Sequence, residues 1–369
     1  MAENSVSVEV EGGSAASLLA NADAAATAAV EAAGKAGAAK AASAAPDAPA
    51  KKPTNKLSSA ALKKGGFMAQ KQKGFYALRI RVVGGDLTTE QFEAVARVAK
   101  KYGRGYAHLT SRQAIEIPFI NIADADEVRA ELAKGGVEPG CCGPRVRTVT
   151  ACQGCRICPS GNIDTYDIAK KLDERYYGRD LPGKFKFGVT GCQNNCLKAE
   201  ENDLGIKGGR KVKWLPDTCI HCGICTKVCR FDACHEVDGK IVVDYDKCVS
   251  CGKCAQKCPV DSWESKPVFN LMFGGLFGNH ITKGKEILPP VETEEQLFRV
   301  ADATIQWFDD HAKAGDRFKF TLDREGWDSM IAAVKKAYDE PDTGKGEVCE
   351  VRFVPNQSEP IPMDSPEWQ

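Results

Sequence analysis

The sequence predicts an α+β protein built from more than one folded piece. Three observations carry this prediction. Residues 75–134 give the order β-α-β-β-α. A second set of strand and helix signals begins near Arg145 and resumes past residue 263. Between them, an eight-cysteine pattern within Cys219 to Cys258, which leaves out Cys234, interrupts the second set.

The first piece reads as follows. Phe75 to Val83 alternates in part like a strand, and Gly84-Gly85 ends it. Thr88 and Gln91 form a capping-box pattern that opens a helix to Tyr102. Tyr106 to Leu109 and Ala114 to Phe119 are two further strands. Asp124 to Lys134 is a helix that Gly135-Gly136 stops. This order is that of a ferredoxin-like half-domain, in the sense of the α+β fold, over 67–138.

The second piece has a strand over Arg145 to Thr150, a helix from Ile163 to Tyr177 and a strand from Phe185 to Thr190. An apolar run from Val268 to Phe273 ends at Gly274-Gly275. Helices follow over Thr293 to Ala312 and Asp323 to Tyr338. One domain therefore spans 139–213 and 263–345, with 214–262 inserted. Residues 1–66 are Ala-rich and read as a disordered tail with a weak helix over Leu18 to Ala33. The lysines from Lys51 to Lys73 read as a solvated linker, and 346–369 as a C-terminal extension rich in Pro and acidic residues.

Composition limits the function classes. Basic and acidic residues both number 50, which gives bulk charge no role in holding nucleic acid. No uncharged apolar stretch is long enough to span a membrane. The first residues, MAENSVSVEVEGG, do not have the layout of a secretory signal. Abundant cysteine without such a signal suits metal ligation in a reducing cytoplasm.

Twelve of the 17 cysteines fall into three sets of four. Two sets interlock as Cys219-x2-Cys222-x2-Cys225-x3-Cys229 and Cys248-x2-Cys251-x2-Cys254-x3-Cys258-Pro259. A four-iron cube takes one thiolate per iron. In the bacterial two-cluster pattern, the fourth cysteine of each run serves the other cluster. One cluster is thus expected on Cys219, Cys222, Cys225 and Cys258, and another on Cys229, Cys248, Cys251 and Cys254. Pro259 fits the pattern, whereas Arg230 stands where a proline is usual. Paired C-x2-C also suits zinc, but eight cysteines in two such runs favour iron–sulfur. Cys234 reads as a packing residue, and His221 as a group that tunes or shields its cluster.

The remaining set is Cys152-x5-Cys158 with Cys192-x3-Cys196. Its spacing resembles the cluster motifs of the sirohaem-dependent sulfite and nitrite reductases, and the resemblance extends over residues 75–340. It implies a third 4Fe–4S cluster on these four cysteines, with the Cys196 thiolate bridging to a sirohaem iron. Cys155 leaves C-x2-C-x2-C as an alternative spacing, and an ordinary relay cluster as an alternative role. Thr110-x-Arg112-Gln113 resembles the family's TxRQ motif, Arg147 a second family arginine, and Leu181-Pro182-x-Lys184-Phe185-Lys186 its LPxKFK segment. The resemblance implies that Arg112, Arg147, Lys184 and Lys186 bind the substrate anion. Such cations suit the chemistry: arginine offers fixed donors to an oxyanion, and a lysine of lowered pKa can deliver protons.

Arg79, Arg81 and Arg145 are candidates for holding the sirohaem carboxylates. Gly274 and Gly275 resemble the family's glycine-rich loop near the cofactor. Asn279-His280 stands where relatives often carry arginine, and His280 is open to reading as a proton donor or a surface residue. The inserted module resembles that of dissimilatory and anaerobic-type sulfite reductase subunits. The expected reaction is six-electron reduction of sulfite to sulfide, with electrons entering from a donor protein or subunit through the module. Reduction of nitrite to ammonia, or a non-catalytic electron-transfer subunit, are the alternatives. The chain holds one half of the two-half arrangement seen in single-chain relatives. A homodimer or higher oligomer, or a pair with a related subunit, is therefore expected. Cys141, Cys142, Cys155, Cys234 and Cys349 are left without a functional role.

Overall fold

A computed structural model describes residues 58–344, so the expected Leu18–Ala33 helix and the C-terminal extension lie outside the described residues. Folded structure begins before Phe67. Helix α1 (Ser59–Lys64) is capped by Ser58, whose Oγ accepts from Ala61 N–H at 3.1 Å, and it buries Ala61 and Leu62. A low aromatic content concealed this turn, because two small apolar residues are enough to seat it.

Strand β1 (Phe67–Ala69) pairs antiparallel with β2 (Phe75–Arg79). The strand expected to reach Val83 stops at Arg79. The chain then tightens into a turn at Val83–Gly85, where Gly84 takes φ +63. Helix α2 (Thr89–Lys101) carries both bonds of the foreseen capping box: Thr88 Oγ1 accepts from Gln91 N–H, and Gln91 Oε1 accepts from Thr88 N–H. Its buried residues, Ala94, Val95, Val98 and Ala99, recur at helical spacing. Strands β3 (His108–Leu109) and β4 (Ile115–Asn121) and helix α3 (Ala125–Ala133) follow. The sheet order is β1-β2-β4-β3. Leu78, Ile80, Ile117, Ile120, Val128 and Leu132 fill the space beneath the two helices.

A second sheet begins with β5 (Thr150–Ala151), which leads into the single turn α4 (Gly154–Ile157) and helix α5 (Thr165–Tyr176). Strand β6 (Phe187–Thr190) lies parallel to β5, and β7 (Leu204–Trp214) parallel to β6. β7 is long, glycine-bearing and charged, so no alternation announced it. Its glycines meet close neighbours: side chains at Gly205 and Gly208 would strike the carbonyls of Ala199 and Gly191.

The inserted module starts where β7 ends. It contains α6 (Ile224–Val228), the hairpin β8 (Cys234–Val237) and β9 (Lys240–Val243), and α7 (Lys253–Gln256). Its two halves repeat in backbone as well as sequence. Positive φ recurs at His221 and Ser250, at Gly223 and Gly252, and at Asp232 and Asp261. Val212, Cys225, Cys234, Ile241 and Trp263 form its small core. Cys234 packs there, as expected.

Strand β10 (Trp263–Phe273) then returns antiparallel to β7 along its full length, from Trp263 opposite Trp214 to Phe273 opposite Leu204. The module is the loop of one long hairpin. The sheet order is β10-β7-β6-β5. A small hairpin of β11 (Leu276–Phe277) and β12 (Ile281–Thr282) precedes helices α8 (Glu294–His311), α9 (Phe318–Glu325) and α10 (Asp328–Asp339). The single helix expected over 323–338 is two, because Gly326 at φ +84 breaks it. Phe185, Phe187, Phe308 and Phe318 interlock edge-to-face or tilted in the core between sheet and helices. No described helix is long and apolar enough to cross a membrane.

Candidate functional site

A cavity of about 690 Å³ opens where the first sheet meets the start of the second. Seven cations line it: Lys63, Arg79, Arg112, Arg147, Lys184, Lys186 and Arg317. Its lining includes no carboxylate. The four substrate-binding candidates named from the sequence are therefore gathered around one space.

The local folding explains how. Thr110 Oγ1 accepts from Ala114 N–H and closes the turn ahead of β4. Gln113, at φ 56, clamps β5 by donating to Ala151 O at 2.7 Å and accepting from Ala151 N–H at 3.0 Å. Arg112 between them reaches into the cavity and is fixed by Asn202 Oδ1 (2.9 Å) and Thr148 O (3.1 Å). Arg147 donates to the carbonyls of Gly143 and Cys141. Lys184 and Lys186 alternate with Phe185, which is fully buried, so both lysines share the cavity face.

Electrostatics follow from this crowding. Burial, together with Arg147, Arg79 and Arg317, pushes the Arg112 guanidinium down to about 10. Burial, Arg112 and Arg317 push the Lys186 ammonium down to about 8. Lys184 is lowered by burial and the neighbouring arginines. A countercharge, Asp203, lies wholly buried behind the lining. Its carboxylate accepts from Arg317 Nη2 at 3.1 Å and from Lys186 N–H at 2.9 Å. Arg147 and Arg317 each keep a buried Nε–H without a partner. Fixed cations with spare donors and no lining acid fit an anion.

Lys63, Arg317, Cys141 and Cys142 were missed. Arg317 comes from the start of α9 and Lys63 from α1, and no motif ties either to the cavity. Cys142 Sγ lies 3.3 Å from Arg79 Nη1, and burial pushes the Cys141 thiol up to about 11.

The cofactor-carboxylate candidates divide. Arg79 lines the cavity and donates from Nε to Glu116 at 2.9 Å. Arg81 and Arg145 do not line it. Arg81 is committed to Asp173 and Glu138 and stacks on the Tyr177 ring. Arg145 is buried against Asp180 and the Cys142 carbonyl. Gly274 and Gly275 lie in close packing. A Cβ on Gly274 would meet Leu322 and Trp327, and one on Gly275 the Glu200 and Asn202 carbonyls, so internal packing accounts for both glycines. His280 sets its ring edge against Phe320, and His221 lies 3.3 Å from Glu236.

The cysteines of the first set gather at the opposite end of the same strands. Cys152 and Cys192 follow β5 and β6, and Cys152 N–H donates to Val189 O at 3.1 Å. Cys152 Sγ accepts from Gly191 N–H. Cys158, Cys152 and Cys196 all act electrostatically on Cys192, whose thiol is raised chiefly by burial. Cys155 and Cys196 are exposed. None of the four lines the basic cavity. From Arg147 to Cys152 along the extended chain is about 16 Å.

In the module, each expected ring encloses its own cavity. Cys219, Cys222, Cys225 and Cys258 line one, and Cys229, Cys248, Cys251 and Cys254 the other. Cys234 also lines the second cavity. Among the described residues, no group of His, Cys, Asp and Glu closes around a single ion. Burial and neighbouring thiols raise Cys254 to about 12 and also raise Cys225 and Cys248. Ala233 N–H points to Cys229 Sγ (3.4 Å) and Ser262 N–H to Cys258 Sγ (3.3 Å), contacts that favour thiolate.

Comparison with known proteins places the chain among sulfite and nitrite reductase domains. The family described as "Nitrite and sulphite reductase 4Fe-4S domain" matches residues 142–341, and "Nitrite/Sulfite reductase ferredoxin-like half domain" matches 68–135. One subunit of the anaerobic sulfite reductase of Salmonella typhimurium is 36% identical over 228 residues, covering 57% of this chain and 67% of that protein. Coenzyme F420-dependent sulfite reductase of Methanocaldococcus jannaschii is 31% identical over 169 residues, 46% of this chain and 27% of that much longer protein. The crystal structure of dissimilatory sulfite reductase I superposes with a TM-score of 0.58 at 19% identity, covering 76% of this chain and 73% of that one, which is a likeness of fold.

Proposed function

Because this chain belongs to the nitrite and sulphite reductase 4Fe-4S domain family, we propose that it is a sirohaem-dependent reductase that converts sulfite to sulfide. One observation carries this reading: seven cations and no carboxylate around a single cavity. A protein that only relays electrons has no need of such a space. The sulfite reductases among its relatives favour sulfite over nitrite.

In this proposal Cys152, Cys158, Cys192 and Cys196 hold a 4Fe–4S cluster, with Cys196 reaching the sirohaem, and the module's two rings hold two more. Bound sirohaem and its cluster would supply six electrons to the sulfur while its oxygens leave as water. The chain's own residues supply the rest. Arg112 and Arg147, already anchored by carbonyls, present fixed donors to the oxyanion. Lys186, charged below about pH 8, holds a proton beside it. Arg79, Lys63 and Arg317 add positive potential for the sirohaem carboxylates or the substrate. Cations and cysteines occupy opposite ends of the same strands, so a second copy, or a related subunit, is proposed to complete each site.

The test is anaerobic purification with sirohaem supplied, followed by an absorption spectrum and turnover with reduced viologen on sulfite and on nitrite. Chlorin-type bands with sulfide production support the proposal. Their absence from protein replete in iron would leave an electron-transfer subunit, and turnover of nitrite alone would change the substrate. Arg112→Ala is expected to lower kcat/KM by about 100-fold.

A further inference from the structure

The module's two cysteine rings are interchangeable in sequence, and their backbones repeat. Their surroundings are not equivalent. Strand β7 runs past both and orders them. At Gly208 it touches the loop of the first cysteine set, where a side chain would strike the Gly191 carbonyl next to Cys192. At Gly209 a Cβ would stand 2.9 Å from the Ser250 carbonyl, and Arg210 N–H donates to that carbonyl at 2.6 Å. Ser250 precedes Cys251. Val212 lines the cavity of Cys229, Cys248, Cys251 and Cys254. The other ring begins only past Trp214, about 20 Å along the strand from Gly208.

A second contact points the same way. Buried Asn162 donates its N–H to Gly191 O at 2.7 Å. Its side-chain oxygen accepts from Arg210 Nε (3.2 Å) and from Gln256 Nε2 (3.1 Å), and Gln256 lies on α7 with Cys254. Solvent marks the opposite side. Ser250 is buried, whereas its counterpart His221 is exposed along with Ile220 and Cys222 of the other ring.

Resting on the reading that both rings hold 4Fe–4S clusters, we infer that they form an ordered relay. The Cys219/Cys222/Cys225/Cys258 ring is the outer port for electrons. The Cys229/Cys248/Cys251/Cys254 ring is the inner one, and it passes them across the Gly208–Gly209 crossing to the cluster of Cys152, Cys158, Cys192 and Cys196. Each transfer moves one electron: the outer cluster is oxidised by one as the inner is reduced by one. An external one-electron donor refills the outer cluster, and no bond or proton is exchanged. Tunnelling weakens steeply with distance, so packing along β7 fixes the order whatever the sequence symmetry.

The experiment uses the full chain, prepared anaerobically and reduced with methyl viologen radical, read by electron paramagnetic resonance with iron analysis. Magnetic broadening of the first-set cluster by its neighbour is expected in the unaltered protein. It should persist in Cys219→Ala/Cys222→Ala and vanish in Cys248→Ala/Cys251→Ala, with each variant losing about four irons. Gly209→Val, which keeps every ligand, should weaken the broadening at full iron content. Should either double variant misfold, this single variant still decides: unchanged broadening overturns the crossing. Broadening lost only when the outer ring is emptied overturns the order while leaving the three-cluster reading intact. About four irons in the unaltered chain overturns the relay together with the reading beneath it.

Discussion

Lys186 sits among guanidinium groups in a half-buried position, and its proton is correspondingly easy to remove. Its ammonium is depressed to about 8, so its charge and its proton are present below that pH and lost as pH rises through it. Sulfite turnover and anion affinity should therefore fall above about pH 8. In Lys186→Gln that alkaline limb should disappear along with most of the rate, as a pH profile of viologen-linked reduction would show. At Asp173, burial opposes the carboxylate, while Arg81 and the Val149 N–H favour it. Asp173→Ala would leave that guanidinium and that N–H without their acceptor. A loss of about 3 kcal/mol is expected in urea unfolding. The same residue shows what sequence leaves out at Arg81: alternation indicates which face a side chain takes, not the acid that meets it there. Arg112, Arg147, Lys184 and Lys186 were legible because motifs fix their spacing. Arg317 was not, because it reaches the cavity from a helix more than a hundred residues beyond the others.

Elements with local causes were the readable ones. The capping box at Thr88 and Gln91 was visible as two residue types at the right offset, and both of its bonds form. Thr88→Ala should cost about 1 kcal/mol, measured as a lowered denaturation midpoint with an unchanged slope. β7 has no such local cause. Its glycines are explained by Ala199, Gly191 and Ser250, which lie elsewhere in the chain. For the same reason the hairpin that carries the module could not be seen, although the module's own limits could. Gly326 shows the limit of periodicity: the apolar pattern runs on through it while the backbone does not.

For the whole molecule, the separation of the cations from the first cysteine set decides what to expect. β5 and β6 carry Arg147 and Lys186 toward one end and Cys152 and Cys192 toward the other. On the proposed assignment, a single copy offers the two halves of a site to different spaces. Light scattering of the loaded protein should give at least twice the mass of one chain, or a complex with a related subunit. A monomer that reduces sulfite at full rate would contradict this.

Sequence alone determined the cysteine spacings of the module and the elements whose ends are capped or broken nearby, because residues close together in the chain set both. The first cysteine set and the basic quartet were read from their resemblance to a family's motifs. Only the tertiary structure decided which cations share a cavity, which arginines are spent on internal acids, and which of two matching cysteine runs packs against Gly209. Those outcomes depend on contacts between segments far apart in the chain, and no local spacing encodes such distances.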